Sequence, residues 1–378
     1  MLRWQIWLGA AIGLVAAAML LALTSRGPGK VAASGPIISE VEGHLRELVI
    51  QYDPAAKSFV ASTYKDFLGA LEPDMLVHVL CSNRAAFDDL CSVVGPVRCR
   101  LNPILADHPM TTWSRDRWVA LAPATSTSKT TLLSPRTESA AGVWDARAGD
   151  EFAGDDIARA LPLTASARRS HLYFDGGDFF ADSENVLVCP RLISRNLQHS
   201  VGSVNELTAT LASEFKRHVV LLNEAPDHHA AMFMVSPGRK IMFVASPALG
   251  RQFLPTNPPA NSRDFVDLPG GADFSAETQR LFDAVANQCS SLGYRVIRLP
   301  VIPAQDGRTF LTYVNVIMDQ QASRRIVYLP AYRGFETMNQ AARAAWENLG
   351  FEVRSIDCTE VCQRYGCIHC LVNVLSRS

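Results

Sequence analysis

"FDAVANQCSSLGYRVIRLP", residues 282–300, and "NQAARAAWENLGFEVRSID", residues 339–357, are two copies of one pattern. Each reads as an amphipathic helix, then Leu-Gly, an aromatic, a charged residue and a Val-containing strand. Gly293 and Gly350 fall where a helix ends on a left-handed residue, a conformation glycine adopts without a Cβ penalty. Between the copies, "TFLTYVNVIMD" (309–319) and "RRIVYLP" (324–330) read as paired strands. The recurrent unit is therefore strand, strand, helix, strand, with a period of about 55 to 60 residues, which predicts an internally repeated α/β architecture. A weaker third copy lies at "SVNELTATLASEFKRHVVLL" (203–222), where Ser203 and Glu206 have capping-box spacing. The polar run "SPRTESAAGVWDARAGDEFAGDDIARAL" (134–161) breaks the rhythm and reads as a surface insertion. No stretch reads as a linker, so residues 35–378 are expected to form one domain.

The 378 residues are 48% hydrophobic and 19% charged, enough for a large core. Formal net charge is −1 with no dense basic run, which argues against nucleic-acid binding through a charged face. Residues 1–34 differ from the rest. Between Arg3 and Arg26 there is no charge, and the apolar run from Ile6 to Leu23 suits a signal peptide or a single membrane anchor. Export to the periplasm or outside, or membrane attachment by this segment, is the expectation. Nine cysteines agree with an exported protein holding up to four disulfides and one thiol left over.

Four polar clusters sit where strands end and loops begin, the usual place for function in such folds. They are "TTWSRDRW" (111–118), "FDGGDFFAD" (174–182), "DHHAAMFMV" (227–235) and "GCIHC" (366–370), and "LTYVNV" adds Asn315 in a strand. The set is one that chemistry can use. A cysteine thiolate needs a histidine to manage its proton. A planar cation needs carboxylates such as Asp116. Cys370 itself admits four readings at this point: core packing, metal ligand, disulfide or nucleophile.

The order W-x-R-D, G-G, H-x-x-M-F-M, Y-x-N and G-x-x-H-C resembles the guanidino-modifying hydrolases, in particular agmatine deiminases and bacterial-type peptidylarginine deiminases. The resemblance covers most of the chain after the N-terminal segment, including a "W…D-D-I-A" insertion from Trp144 to Ala158. It implies the pentein fold, a five-bladed α/β propeller of strand-strand-helix-strand units. By position it implies Cys370 as nucleophile, His229 as general acid/base and Asp116 as the guanidinium-binding carboxylate. Trp113 would line the pocket and Asn315 would shape it, with Asp175 and Asp178 flanking the Gly176-Gly177 turn as substrate contacts.

The implied reaction is attack by Cys370 on a guanidine carbon, a covalent thiouronium, release of ammonia and hydrolysis to a ureido product. It needs neither metal nor organic cofactor, and its substrate would be a small guanidine or an arginine-containing peptide. One position departs from the pattern: relatives carry His-x-Asp, whereas Ala231 stands two residues after His229. The expectation is that one carboxylate clamp is missing, unless Asp227 or Asp178 replaces it in space. A guanidine-binding relative with weakened catalysis is the alternative this raises. A zinc or redox cluster of Cys358, Cys362, Cys367 and Cys370 is another, and a Cys362–Cys367 disulfide bracing the loop a third possibility.

Overall fold

Helix Glu336–Glu347 buries Met338, Ala342 and Trp346, one residue per turn along a single face. Trp346 packs against Phe243 at 4.7 Å and Phe351 at 5.0 Å between ring centroids. The equivalent helix of the other copy, Ala276–Ser291, buries Phe282, Val285, Ala286 and Cys289 in the same way. Both helices lead into left-handed glycines, Gly293 at φ 85° and Gly350 at φ 82°. No neighbour would obstruct a side chain at either, so it is the backbone angle that calls for glycine. In the computed structural model, described for residues 34–137, 145–197, 199–254 and 268–378, these helices are crossovers between parallel strands.

Among the described residues the strands form five sheets, and the same unit recurs in each. Ile317–Gln320 runs antiparallel to Arg325–Ala331, and the helix then returns the chain to Glu352–Asp357, parallel to Arg325–Ala331. Met234–Gly238, Ile241–Ser246 and Arg295–Pro303 repeat this around helix Ala276–Ser291. Phe179–Ala181, Asn185–Val188 and His218–Leu221 do so around helix Val204–Phe215, and Val119–Pro123, Thr130–Ser134 and Ala165–Arg169 around helix Ala153–Ala160. In the fifth sheet the chain ends meet: Val372–Arg377 lies antiparallel to Leu45–Tyr52, which leads through helix Lys57–Ala70 to the parallel strand Leu76–Cys81. Ser34–Ser378 clusters as one compact unit.

Several local expectations change. The apparent strand 309–319 is two strands in different sheets, Phe310–Thr312 and Ile317–Gln320. Asn315 sits in the bend between them and not in mid-strand. The run 134–161 is not all insertion, because Ala153–Ala160 is the crossover helix of its unit and buries Ala153, Gly154, Asp156 and Ile157. Ser203 Oγ accepts from Glu206 N at 3.1 Å, but Glu206 reaches back to Gly202 N and not to Ser203. The apolar segment read as a signal or anchor, and Trp144, lie outside the described residues. No helix among the described residues is long and apolar enough to cross a membrane.

All nine cysteines are free thiols, so the disulfides expected from the cysteine count are not formed. The physical reason is dispersion into the core, where a thiol behaves as a small apolar side chain. Cys81, Cys99, Cys189 and Cys289 are buried at separate places along the chain. Burial pushes the thiols of Cys81 and Cys99 up to about 11 and that of Cys289 up to about 12.

Candidate active site

The C-terminal strand is preceded by a short helical turn, Ile368–Leu371, that carries Cys370. Four contacts fix this turn and its sulfur. Cys370 N donates to Cys367 O at 3.0 Å, and Arg115 N donates to Cys370 O at 3.2 Å. Asn315 receives His369 N on its Oδ1 at 2.9 Å, while its Nδ2 lies 3.5 Å from Cys370 Sγ. Asn315 thus holds the turn and the sulfur from a single bend. Behind the turn, His369 Nε2 lies 2.6 Å from Glu40, whose carboxylate also pairs with the Arg115 guanidinium. Arg115 continues to Asn373 Oδ1 at 3.1 Å, joining the start of the chain, the 111–118 loop and the last strand. Nothing in the local sequence marks Glu40 for this task.

Of the two adjacent histidines, His229 faces the cysteine, with Nδ1 3.8 Å from Cys370 Sγ. His228 turns the other way. Its Nδ1 accepts from His229 N at 2.8 Å and its Nε2 donates to Arg308 O at 2.9 Å, which fixes one neutral tautomer. Burial, with the charges of His229 and Arg191, pushes His228 down to about 3. His229 moves oppositely. Burial opposes its charge, but Asp175, the Cys370 sulfur and Asp116 override that and push it up to about 10. At neutral pH it is an imidazolium that can give a proton.

Gly177 makes this approach possible. A Cβ there would sit 2.5 Å from the His229 ring, and one at Gly366 would sit 2.4 Å from Trp113. We expect Gly177→Ala to push the imidazole off its line to the sulfur and to cut kcat about a hundredfold with little loss of folding. Steady-state turnover beside a thermal melt checks this, and an unchanged kcat would remove His229 from the chemistry.

Two carboxylates meet the far side of His229. Its Nε2 lies 3.7 Å from Asp175 Oδ2 and 3.9 Å from Asp116 Oδ1. Gly176 N donates to Asp116 O at 2.8 Å and so ties the two carboxylate loops together. Asp178 stands one layer back and does not line the cleft. It is fully buried, accepts Asp175 N at 2.8 Å, and takes Arg191 Nε at 2.6 Å. Arg191 and Arg195 also reach Asp175, at 3.3 and 3.1 Å. Trp113 closes another wall, stacked on Phe59 at 6.3 Å. Cys370, His229, Asp116, Asp175 and Trp113 line one open cleft of ≈ 1040 Å³.

Solved structures match this arrangement of sheets along nearly the whole chain. The agmatine deiminase of C. jejuni, a Cys-to-Ser variant with substrate bound, aligns with a TM-score of 0.65 at 13% identity, over 90% of this chain and 96% of its own. The agmatine deiminase of Enterococcus faecalis aligns with a TM-score of 0.64 at 12% identity, over 90% and 96%. The chain has the pentein fold of the agmatine deiminases. No protein-family model and no curated protein matches the sequence.

On this pentein frame, the sequence-predicted residues divide into two groups. Cys370, His229, Asp116, Asp175 and Trp113 converge on the cleft, whereas Asn315 and Asp178 support it from behind. Ala231 is buried and is not part of the cleft wall. The second carboxylate facing His229 comes instead from Asp175, in the loop that leads through Gly176–Asp178 into strand Phe179–Ala181. The residues that the sequence reading missed are Arg191, Arg195, Arg308, Arg364 and Tyr365, which carry no motif.

The cysteine cluster does not converge as a zinc site. Cys362 Sγ donates to Thr359 O at 3.3 Å, Cys367 Sγ lies 3.6 Å from Tyr332 Oη, and Cys370 faces the cleft. Among the described residues, the group whose atoms lie close enough for a metal is Asp175, Asp178 and His229. Arg191 and Arg195 already match those two carboxylates, and a protonated His229 offers no lone pair on the nitrogen facing them. The donor set fits a metal poorly.

Proposed function

We propose that this protein is a hydrolase of guanidine carbons that works through Cys370. The observation that carries this reading is the convergence of a cysteine, a histidine and two carboxylates in one cleft. Asp116 and Asp175 would grip the planar guanidinium and hold its carbon before the sulfur. Trp113 would cover one face of the cation, a favourable partner for a flat guanidinium. The five sheets would be the five blades of a propeller, with the cleft at one end of it.

The steps balance. The Cys370 thiolate adds to the guanidine carbon and forms the C–S bond. His229 gives a proton to one nitrogen, the C–N bond breaks, and ammonia leaves. A covalent thiouronium remains. His229, now neutral, takes a proton from water as the water oxygen adds to the same carbon. The C–S bond then breaks, regenerating the thiolate and freeing a ureido product. The net reaction adds one water and releases one ammonia, with no change of oxidation state. The Asp175 carboxylate supports this cycle by holding the imidazolium form of His229 until the leaving group needs the proton.

The deciding experiment measures ammonia release and ureido product on a panel of small guanidines and arginine peptides. We expect turnover of at least one guanidine that is lost when Cys370 is alkylated. Absence of ureido product across the whole panel would overturn the reading.

A further inference from the structure

Five arginines line the cleft, Arg117, Arg191, Arg195, Arg308 and Arg364, against four carboxylates. Arg191 and Arg195 are matched by Asp175 and Asp178, and Arg117 lies 3.8 Å from Asp175. Among the four carboxylates, Asp306 is engaged by its own turn, accepting from the N–H groups of Arg308 and Thr309 and from Thr309 Oγ1. The balance leaves Arg308 and Arg364 as cations with no carboxylate partner among the described residues. Both are exposed, and each lies over an aromatic ring: Arg308 over Tyr365 at 5.0 Å and Arg364 over Phe59 at 5.6 Å. Stacking steadies a guanidinium without neutralising it, and leaves its N–H edge available to an anion.

These two cations are also tied to the reacting end. Phe59, beneath Arg364, stacks on Trp113. Tyr365, beneath Arg308, precedes Gly366, whose bare Cα lets Trp113 pack against it. The Arg308 carbonyl accepts from His228, next to His229. A ligand held by Asp116 would therefore share the cleft with two cations that no carboxylate neutralises.

We propose that the cleft takes a guanidine that also bears a carboxylate, with the guanidinium at Asp116 and Asp175 and the carboxylate at Arg308 and Arg364. This rests on the guanidine reading above and narrows it. The shared chemistry belongs to free arginine and to the C-terminal arginine of a peptide, and at ≈ 1040 Å³ the cleft has room for either. Agmatine keeps the ammonium that arginine also carries but lacks the carboxylate, so nothing in it offsets the repulsion from Arg308 and Arg364. Asp227, an exposed carboxylate of the same cleft, is the group that would favour agmatine if this assignment were wrong.

The experiment compares the full chain on free arginine, argininamide, agmatine, a peptide ending in arginine, and a peptide with internal arginine. We expect kcat/KM for the carboxylate-bearing members to exceed that for argininamide and agmatine by about tenfold or more, a ratio set mainly in KM. Arg308→Ala with Arg364→Ala should collapse the arginine-to-argininamide ratio toward one. Preference for the peptide ending in arginine over the free amino acid would identify the peptide as the source, and the reverse would identify free arginine. Equal or better use of agmatine, or a ratio untouched by the double variant, overturns the proposal. Calorimetry on the Cys370→Ser protein separates the two readings. If no guanidine is turned over but arginine binds and agmatine does not, the anion subsite stands and the deimination reading falls. If both bind equally or neither binds, the subsite falls.

Discussion

Replacing Cys370 with Ser should lower guanidine deimination by at least about 10⁴-fold while guanidine binding persists. Cys370 is 2% exposed and forms no part of the carboxylate grip, so loss of its sulfur removes the bond-forming step and little else. His229→Gln should cost a comparable factor, because without the imidazolium the leaving nitrogen has no proton donor. The two changes together should cost scarcely more than either alone, since nucleophile and acid act as a unit. Acid-quenched intact-mass measurement adds a second readout. The native protein should show a covalent adduct of the guanidine, His229→Gln a slower one, and Cys370→Ser none. An adduct that survives Cys370→Ser would mean that another group carries the chemistry, and binding lost together with turnover would make the cysteine structural.

How much of this was legible beforehand depended on what kind of signal each residue leaves. The two copies at 282–300 and 339–357 were readable because a helix ending in Leu-Gly before a β-branched strand is a local pattern. The unit around Ala153–Ala160 was hidden because its helix follows a polar stretch that reads as loop. The fifth sheet was beyond local reading, since Val372 pairs with Ile50 from the other end of the chain. Cys370, His229 and Asp116 could be named because each sits in a compact polar motif. Asn315 was named for the right neighbourhood and the wrong backbone, as a bend between sheets has no signature distinct from a strand. The disulfides were misread because a cysteine count carries no information on burial. Arg308 and Arg364 left no trace, since an exposed arginine acquires meaning only from the rings and carboxylates that surround it in space.

Ala231 shows the same limit from the opposite side. Ala231 stands two residues after His229, where the resemblance implies a second carboxylate, and that motif offers none in its place. In space a carboxylate facing His229 is supplied by Asp175, whose backbone N–H donates to the Asp178 carboxylate and whose side chain is shared with Arg191 and Arg195. In the proposed function Asp175 would supply by geometry the second carboxylate that position 231 lacks.

Asp175→Asn is the change that tests this, and its effect should be large on two counts. It removes one charged contact to the guanidinium, and it removes a principal support of the His229 imidazolium. Together these should reduce kcat/KM about 10²- to 10³-fold. The pH profile distinguishes this from a general loss of packing. The proposed cycle needs His229 in its protonated form, and its folded-state value is raised to about 10. Activity that depends on the acid form is complete well below that value and is lost as pH rises through it. The stability that the raised His229 contributes follows the same direction, present below the ordinary histidine value of about 6.5 and lost on approach to about 10. In Asp175→Asn the alkaline limb should move to lower pH, because less negative charge holds the proton. Asp178→Asn provides the contrast. Asp178 is fully buried and pairs with Arg191 and Arg195 without entering the cleft, so its loss should cost on the order of 3 kcal/mol of stability and move the alkaline limb much less. Equal shifts of the limb in both variants would mean that Asp175 acts through Arg191 and Arg195. A limb unmoved by Asp175→Asn would mean that His229 keeps its proton for another reason, leaving Asp116 as the sole carboxylate of the grip.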